Sequence, residues 1–259
     1  KAKNFRVVSA KELWKKMLKS LYETGHPWIT FKDPSNIRYS NKHEGVVHSS
    51  NLCTEILLHT KATEYQDGEV VEVGETAVCN LASVNLENHV KVRTLDWKKL
   101  QETVEVAVRG LDNVIDINFY PTKEARNSNL RHRPVGLGIM GTHGMLHKLG
   151  ITYDSQEAIE LCGKIQEFIS YYAILTSSKL AKERGHYESY MHSEWSYNNL
   201  PIDTYCRLMN SRKKANSYKP EDFETLEWNK VRDHIAAHGM RNSNVMAIAP
   251  TATISYIQG

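Results

Sequence analysis

The sequence predicts an α/β protein built on a parallel sheet or barrel. Two observations carry that expectation. Runs such as VMAIA, residues 245–249, are continuously apolar, as strands covered on both faces are. Long segments of helical period separate such runs, which suits crossover connections rather than hairpins. With 41% hydrophobic and 24% charged residues, a chain of 259 residues can bury a substantial core as one large domain or two small ones. It contains no internal repeat and no low-complexity segment.

From the amino end, Ser9 and Glu12 form a capping-box pattern, and Leu13, Met17, Leu18 and Leu21 follow at helical spacing before Gly25. Residues Trp28 to Phe31 read as a short strand. SNIRYSNKHEGVVHSS, residues 35–50, is polar and aperiodic and reads as a loop, which puts Cys53 at or just past its end. Ile56 to Leu58 read as the start of a buried strand, and EVVEVGETAVCNLASVNL, residues 69–86, is rich in β-branched residues without a helical period. Leu100, Val104, Val108, Leu111 and Ile115 then mark one face of a helix that Pro121 bounds. A longer helix is expected from near Asp154, with Glu157 at its third position, carrying Ile159, Ile165, Phe168, Ile169 and Leu180 up to Gly185. The last helix, Leu226 to His238, closes at Gly239 and leads into a buried strand and a Pro-Thr-Ala-Thr turn. Residues 211–225, SRKKANSYKPEDFET, read as a surface loop.

Charge and cysteine usage narrow the function classes. The net charge of +3 arises from 33 basic and 30 acidic residues interspersed along the chain, so no footprint for nucleic acid stands out, whereas a small anion held locally stays compatible. Four cysteines without a C-x-x-C pair argue against a structural zinc site or a disulfide scaffold and make a reducing, cytoplasmic setting the default. The first residues contain no apolar signal-peptide core, and no run approaches a membrane span. The start at Lys1 and the stop at SYIQG, directly after an apolar run, suggest an excised piece of something longer.

Several motifs bear on chemistry. GLGIMG, residues 136–141, matches the dinucleotide-binding spacing, but RHRP precedes it and no suitably placed acid follows, so glycines for tight strand-to-helix packing are the preferred reading. Neither H-x-x-x-H nor H-E-x-x-H spacing on a helix is expected among the twelve histidines, which read as mostly surface or capping residues, and no metal site is expected. Cys53 and Cys79, each taken alone, read as small buried hydrophobes. Asn51 before Cys53 and Glu55 after it are poor company for a core thiol. Pro250-Thr251-Ala252-Thr253 offers backbone N–H and hydroxyl groups to an anion.

Taken together and in order, SNLCTEI, AVCNLASVNL, RHRPVGLGIMG, LAKERGHY and APTATIS resemble the large catalytic subunit of ribonucleotide reductase, most like the oxygen-dependent class I enzymes, from about Ala10 to the last residue. The resemblance implies a central portion, residues 1–259, of a ten-stranded α/β barrel in which Asn51, Cys53 and Glu55 lie on a finger loop. Cys53 would become the thiyl radical that removes the ribose 3′ hydrogen. Glu55 would act as base on the 3′ hydroxyl and Asn51 would orient the 2′ and 3′ oxygens. Cys79 would be one member of the reducing pair. Thr251, Ala252, Thr253 and Ile254, together with Ser50, would hold the substrate, the first four through its phosphates. Cys53 is then expected on a loop tip facing the carboxyl ends of the strands, with Cys79 bordering the same cavity.

The same resemblance implies what this chain would need for deoxyribonucleotide synthesis. The allosteric N-terminal region, the first redox cysteine, the C-terminal strands, the radical-transfer tyrosines and the cysteine-bearing tail find no match here. No cofactor is expected on the chain itself. The radical would come from a metal-containing small (beta) subunit, and thioredoxin or glutaredoxin would re-reduce the full enzyme. The isolated chain is expected to be inactive without complementary segments. The alternatives are a cobalamin-dependent class II reductase and a non-catalytic nucleotide-binding scaffold.

Overall fold

A computed structural model describes residues 5–212 and 217–258 of the chain, which divides into two compact units, Lys1–Phe31 and Lys32–Gly259. The first unit holds the predicted helix, α1 (Ala10–Thr24). Ser9 Oγ accepts from the Glu12 N–H at 3.4 Å, and Gly25, at φ 74°, donates its N–H to the Leu21 carbonyl. Residues 28–31 form no strand. Their aromatic and β-branched side chains favour a pleated surface only where a neighbouring strand supplies the ladder, and among the described residues none pairs with them.

In the second unit, α2 (Lys32–Arg38) occupies the beginning of the stretch read as loop. Its first turn carries Asp33 and Pro34, both suited to a helix start. Asn36 then clasps Val47, donating to its carbonyl at 3.0 Å and accepting from its N–H at 2.9 Å. The strand expected at residues 56–58 is absent. The β-rich stretch after it becomes an exposed antiparallel hairpin, β1 (Glu64–Gln66) with β2 (Glu69–Glu72), followed by β3 (Asn80–Asn85). A second small hairpin pairs β4 (Val90–Lys91) with β5 (Thr94–Leu95).

The main helix, α3 (Trp97–Ile117), buries Leu100, Val104, Val108, Leu111 and Ile115, the stripe read from the sequence. The next helix, α4 (Lys123–His132), was not legible, because most of its buried positions are polar: Ser128, Asn129 and His132. Arg133, in left-handed conformation at φ 47°, ends it and buries its guanidinium against Asp112 of α3 at 2.9 Å. Asn242 donates to the same Asp112 carboxylate and to the Arg133 carbonyl, so no charge in this cluster is left unpaired.

From there the chain enters β6 (Val135–Met140), which pairs with β3 in parallel register, Asn80 opposite Val135 through Asn85 opposite Met140. On its other side β6 meets residues 244–247: Leu137 donates to the Val245 carbonyl at 2.9 Å and accepts from the Ala247 N–H at 3.2 Å. The predicted terminal strand is thus an extended, parallel segment held by a single bridge. The parallel α/β arrangement agrees with expectation, whereas a ten-stranded barrel is not formed by the described residues.

GLGIMG lies almost wholly inside β6 rather than after it. A Cβ at Gly136 would stand 2.5 Å from Leu81 and 2.8 Å from the Ala247 side chain, and one at Gly138 would stand 2.4 Å from the Ala247 carbonyl oxygen. Close strand packing therefore accounts for both glycines. Gly141, at φ 72°, turns the chain into α5 (Thr142–Leu149). The long helix α6 (Gln156–Arg184) is capped by Ser155 rather than Asp154 and buries Ile165, Ile169 and Leu180, while Ile159 points outward at 63% exposure. Further helices are α7 (Pro201–Arg212), α8 (Trp228–His238) and the single turn α9 (Ala252–Ser255). Of the expected surface loop, residues 213–216 lie outside the described residues, and Thr225 at its end bonds Glu167 of α6. Among the described residues no helix is long and apolar enough to cross a membrane.

Three substitutions check this packing by urea denaturation. Ile115→Ala should cost about 2–5 kcal/mol, while Ile159→Ala should stay within about 0.5 kcal/mol. Gly138→Ala drives a methyl into backbone and should cost about 1–3 kcal/mol. A neutral Gly138→Ala would show that β6 and residues 244–247 are not so closely packed.

Candidate functional site

The segment around Cys53 closes on itself. Asn51 donates its N–H to the Ile56 carbonyl at 3.3 Å, its side-chain Oδ1 accepts from the Ile56 N–H at 3.1 Å, and the Thr54 N–H reaches the Asn51 carbonyl at 3.2 Å. Thr54 takes a φ of 70°, the left-handed geometry that lets so short a loop return. Cys53 is exposed at the tip of this turn, beside Leu52 at 85% exposure. The reading of Cys53 as a buried small hydrophobe fails, since a core thiol would not be raised on a closed turn. Ser50 spends its hydroxyl on the Asn51 carbonyl. With Oδ1 of Asn51 engaged by backbone, its Nδ2 is the group left to face a ligand.

Glu55 turns inward from the same loop. Its Oε2 is buried with no hydrogen-bond partner, an arrangement that costs free energy unless another group meets it. Cys79 feels this carboxylate: burial first, and then the charge of Glu55, push its thiol up to about 12, so the sulfur keeps its proton at neutral pH. Cys79 directly precedes β3 and its Sγ stands 3.5 Å from where a Gly136 Cβ would be. The structure therefore brings Cys79 and Ala247, from opposite edges of β6, to the face that a Gly136 Cβ would occupy, with the Glu55 charge near Cys79.

Because β3 and β6 run parallel and Cys79 precedes the first residue of β3, the Cys79 thiol lies at the amino ends of these two strands. Thr251 to Ile254 follow the carboxyl end of the third segment, with Thr251 at φ 63° leading into α9 and Ala252 and Thr253 exposed. A cavity of about 520 Å³ between α6, α7 and α8, lined by Arg38, Glu167, Leu200, Tyr205, Trp228 and Met246, takes no side chain from the expected site.

The sequence reading missed a buried polar cluster. His59, Glu75 and His132 present ligand-type atoms that all lie within 4.8 Å of one another, and His89 is buried as well. The three come from separate stretches of chain, so no local spacing betrays them. H-x-x-x-H spacing does occur on helices, contrary to expectation: His143 and His147 stand four apart on α5, and His234 and His238 on α8, the latter with ring centroids 4.7 Å apart.

Residues 1–259 match the family described as Ribonucleotide reductase, barrel domain. The chain is 54% identical over 255 residues to a ribonucleoside-diphosphate reductase subunit alpha of Chlamydia pneumoniae, 98% of this chain and 23% of that protein. It is 37% identical over 297 residues to the subunit alpha of Helicobacter pylori, 97% of this chain and 36% of that protein. It is 38% identical over 255 residues to the large subunit of Caenorhabditis elegans, 98% of this chain and 29% of that protein. The chain thus spans between 23% and 36% of the length of these relatives. Matched along its whole length, and carrying an exposed thiol flanked by an amide and a carboxylate, the chain belongs to the family of ribonucleotide reductase barrel domains.

Proposed function

We propose that this chain is the thiol-bearing part of a ribonucleoside-diphosphate reductase large subunit, completed into a barrel by further segments of that subunit. One observation carries the reading: an exposed Cys53 on a closed turn, with a buried and unpartnered Glu55 oxygen two residues on. A thiyl radical at Cys53 abstracts the 3′ hydrogen of the ribose and returns it later, because S–H and ribose C–H bonds are similar in strength. Glu55 Oε2 takes the 3′ hydroxyl proton, which gives the orphaned oxygen its partner. Asn51 Nδ2 steadies the ribose oxygens, since its Oδ1 already closes the turn.

Reduction then needs two electrons and releases the 2′ hydroxyl as water. Cys79 supplies one thiol of the oxidised pair, and a thiol raised to about 12 suits a group that must stay protonated until the substrate radical forms. The second thiol belongs to another segment. Ser50 and residues 251–254 face the substrate, the latter at its phosphates. The radical is supplied by a metal-containing beta subunit, and thioredoxin or glutaredoxin re-reduces the enzyme. The names of the relatives favour this over a cobalamin-dependent enzyme.

Alkylation tests the thiols directly. With mass mapping of modified peptides, Cys53 should react with a maleimide at least about 100-fold faster than Cys79 at pH 8, since the thiolate is the nucleophile and Cys79 rarely forms one. Equal rates would remove the environment assigned to Cys79.

Turnover tests the roles. The isolated chain should form no deoxynucleotide. Joined with the remaining segments and a radical-supplying subunit it should be active, Cys53→Ser should abolish turnover, and Cys79→Ser should begin the radical step and release free base. Normal turnover by Cys53→Ser, or repeated turnover by the chain alone, contradicts the assignment. Nucleotide binding without any activity in the complete assembly would favour a scaffold instead.

A further inference from the structure

We infer that His59, Glu75 and His132 form a hydrogen-bonded clamp that fixes the Cys53 turn relative to Cys79 and to the segment leading to Thr251. They are positioning residues, and the inference rests on the thiol chemistry proposed above. Their places in the chain give the first support. His59 comes four residues after Glu55, Glu75 four residues before Cys79, and His132 three residues before β6 begins.

The second support is that every ring nitrogen in the cluster has a partner. Both His59 Nε2, at 2.7 Å, and His132 Nε2, at 2.8 Å, meet the same oxygen of Glu75, while Arg131 donates to its other oxygen at 2.8 Å. Burial pushes the Glu75 carboxyl up, but hydrogen bonds from His132, His59 and Arg131 outweigh it and hold the group well below the usual carboxylate range. A carboxylate only accepts, so both Nε2 atoms carry hydrogen. The opposite ring nitrogens are partnered too, His59 Nδ1 with the Tyr39 hydroxyl and His132 Nδ1 with Ser189 Oγ, each at 2.6 Å. Burial pushes the Tyr39 phenol up as well, so it keeps its proton.

The backbone repeats the connection. Lys61 and Glu75 exchange N–H···O bonds of 2.9 and 2.8 Å, and the His132 carbonyl accepts from the Ser243 N–H at 3.1 Å, just before the segment that flanks β6. A shift at Glu75 therefore moves all three pieces of the candidate site. Arg131 also pairs with Glu44 at 2.8 Å and Glu188 at 3.4 Å, beside a cavity of about 470 Å³ that Glu75 borders. A metal ion held by the same three residues would have to displace both Nε2 protons from a cluster that is already satisfied, so the hydrogen-bonded form is the one assigned.

The test has a spectroscopic arm and a kinetic arm. In the wild-type chain, imidazole ¹⁵N spectra should show hydrogen on Nε2 of both His59 and His132. In the complete assembly, Glu75→Gln should lower kcat about 100-fold, as misplacement of reacting groups by about 1 Å does, while KM for a ribonucleoside diphosphate stays within about 2-fold. His59→Ala should behave alike. His59→Gln, whose amide N–H takes the place of Nε2–H, should keep kcat within about 3-fold of wild type. A ring lacking hydrogen on Nε2, stoichiometric zinc retained by the purified chain, or unchanged kcat in Glu75→Gln would overturn the clamp. Expected spectra with a wild-type assembly that reduces no ribonucleotide would instead remove the functional reading, and the positioning role with it.

Discussion

The candidate site depends on how closely three parallel pieces of chain approach at β6. Gly136 and Gly138 have no Cβ, and the space one would fill is taken by Leu81 on one side and by Ala247 on the other. That contact lays β3, β6 and residues 244–247 side by side. Cys79 enters β3 on one flank and the path to Thr251 leaves on the other. Widening this spacing by one methyl would separate groups that the proposed chemistry needs around a single ribose.

Around that contact the protein balances two kinds of burial. The α3 stripe and the buried face of α6 supply non-directional hydrophobic stabilisation. Directional polar clusters then fix where the strands begin. Arg133 with Asp112 and Asn242 holds the start of β6 against α3. The His59–Glu75–His132 group joins segments far apart in sequence. Such clusters specify position only because each donor finds an acceptor. The unpartnered Glu55 oxygen departs from that rule, as do Asn80 Nδ2, Asn129 Oδ1, Thr176 Oγ1 and Asn198 Oδ1, and its place two residues from the exposed Cys53 is what marks it as a place for substrate.

What could be read from the sequence followed from local physics. The α3 face was legible because apolar residues recur at helical spacing, and α1 because its two caps have distinct side-chain signatures. The glycines of GLGIMG are packing residues, but Gly136 and Gly138 pack strand against strand rather than strand against helix. By contrast, α4 hides its buried face in polar residues, and residues 28–31 join no sheet among the described residues. Asn51, Cys53 and Glu55 stood out as odd company for a thiol, yet only three dimensions show that the turn is closed by Asn51 itself. The histidine cluster was beyond any spacing rule, because its members meet only through tertiary folding.

The central claim is that Cys53 exchanges a hydrogen atom with C3′ of a ribonucleotide. Reduction of a [3′-²H]ribonucleoside diphosphate by the complete assembly tests it most directly. A primary isotope effect on turnover, with deuterium recovered at C3′ of the deoxynucleotide, is the expected result. Product formed at the same rate from deuterated and ordinary substrate, with the label lost to solvent, would contradict it.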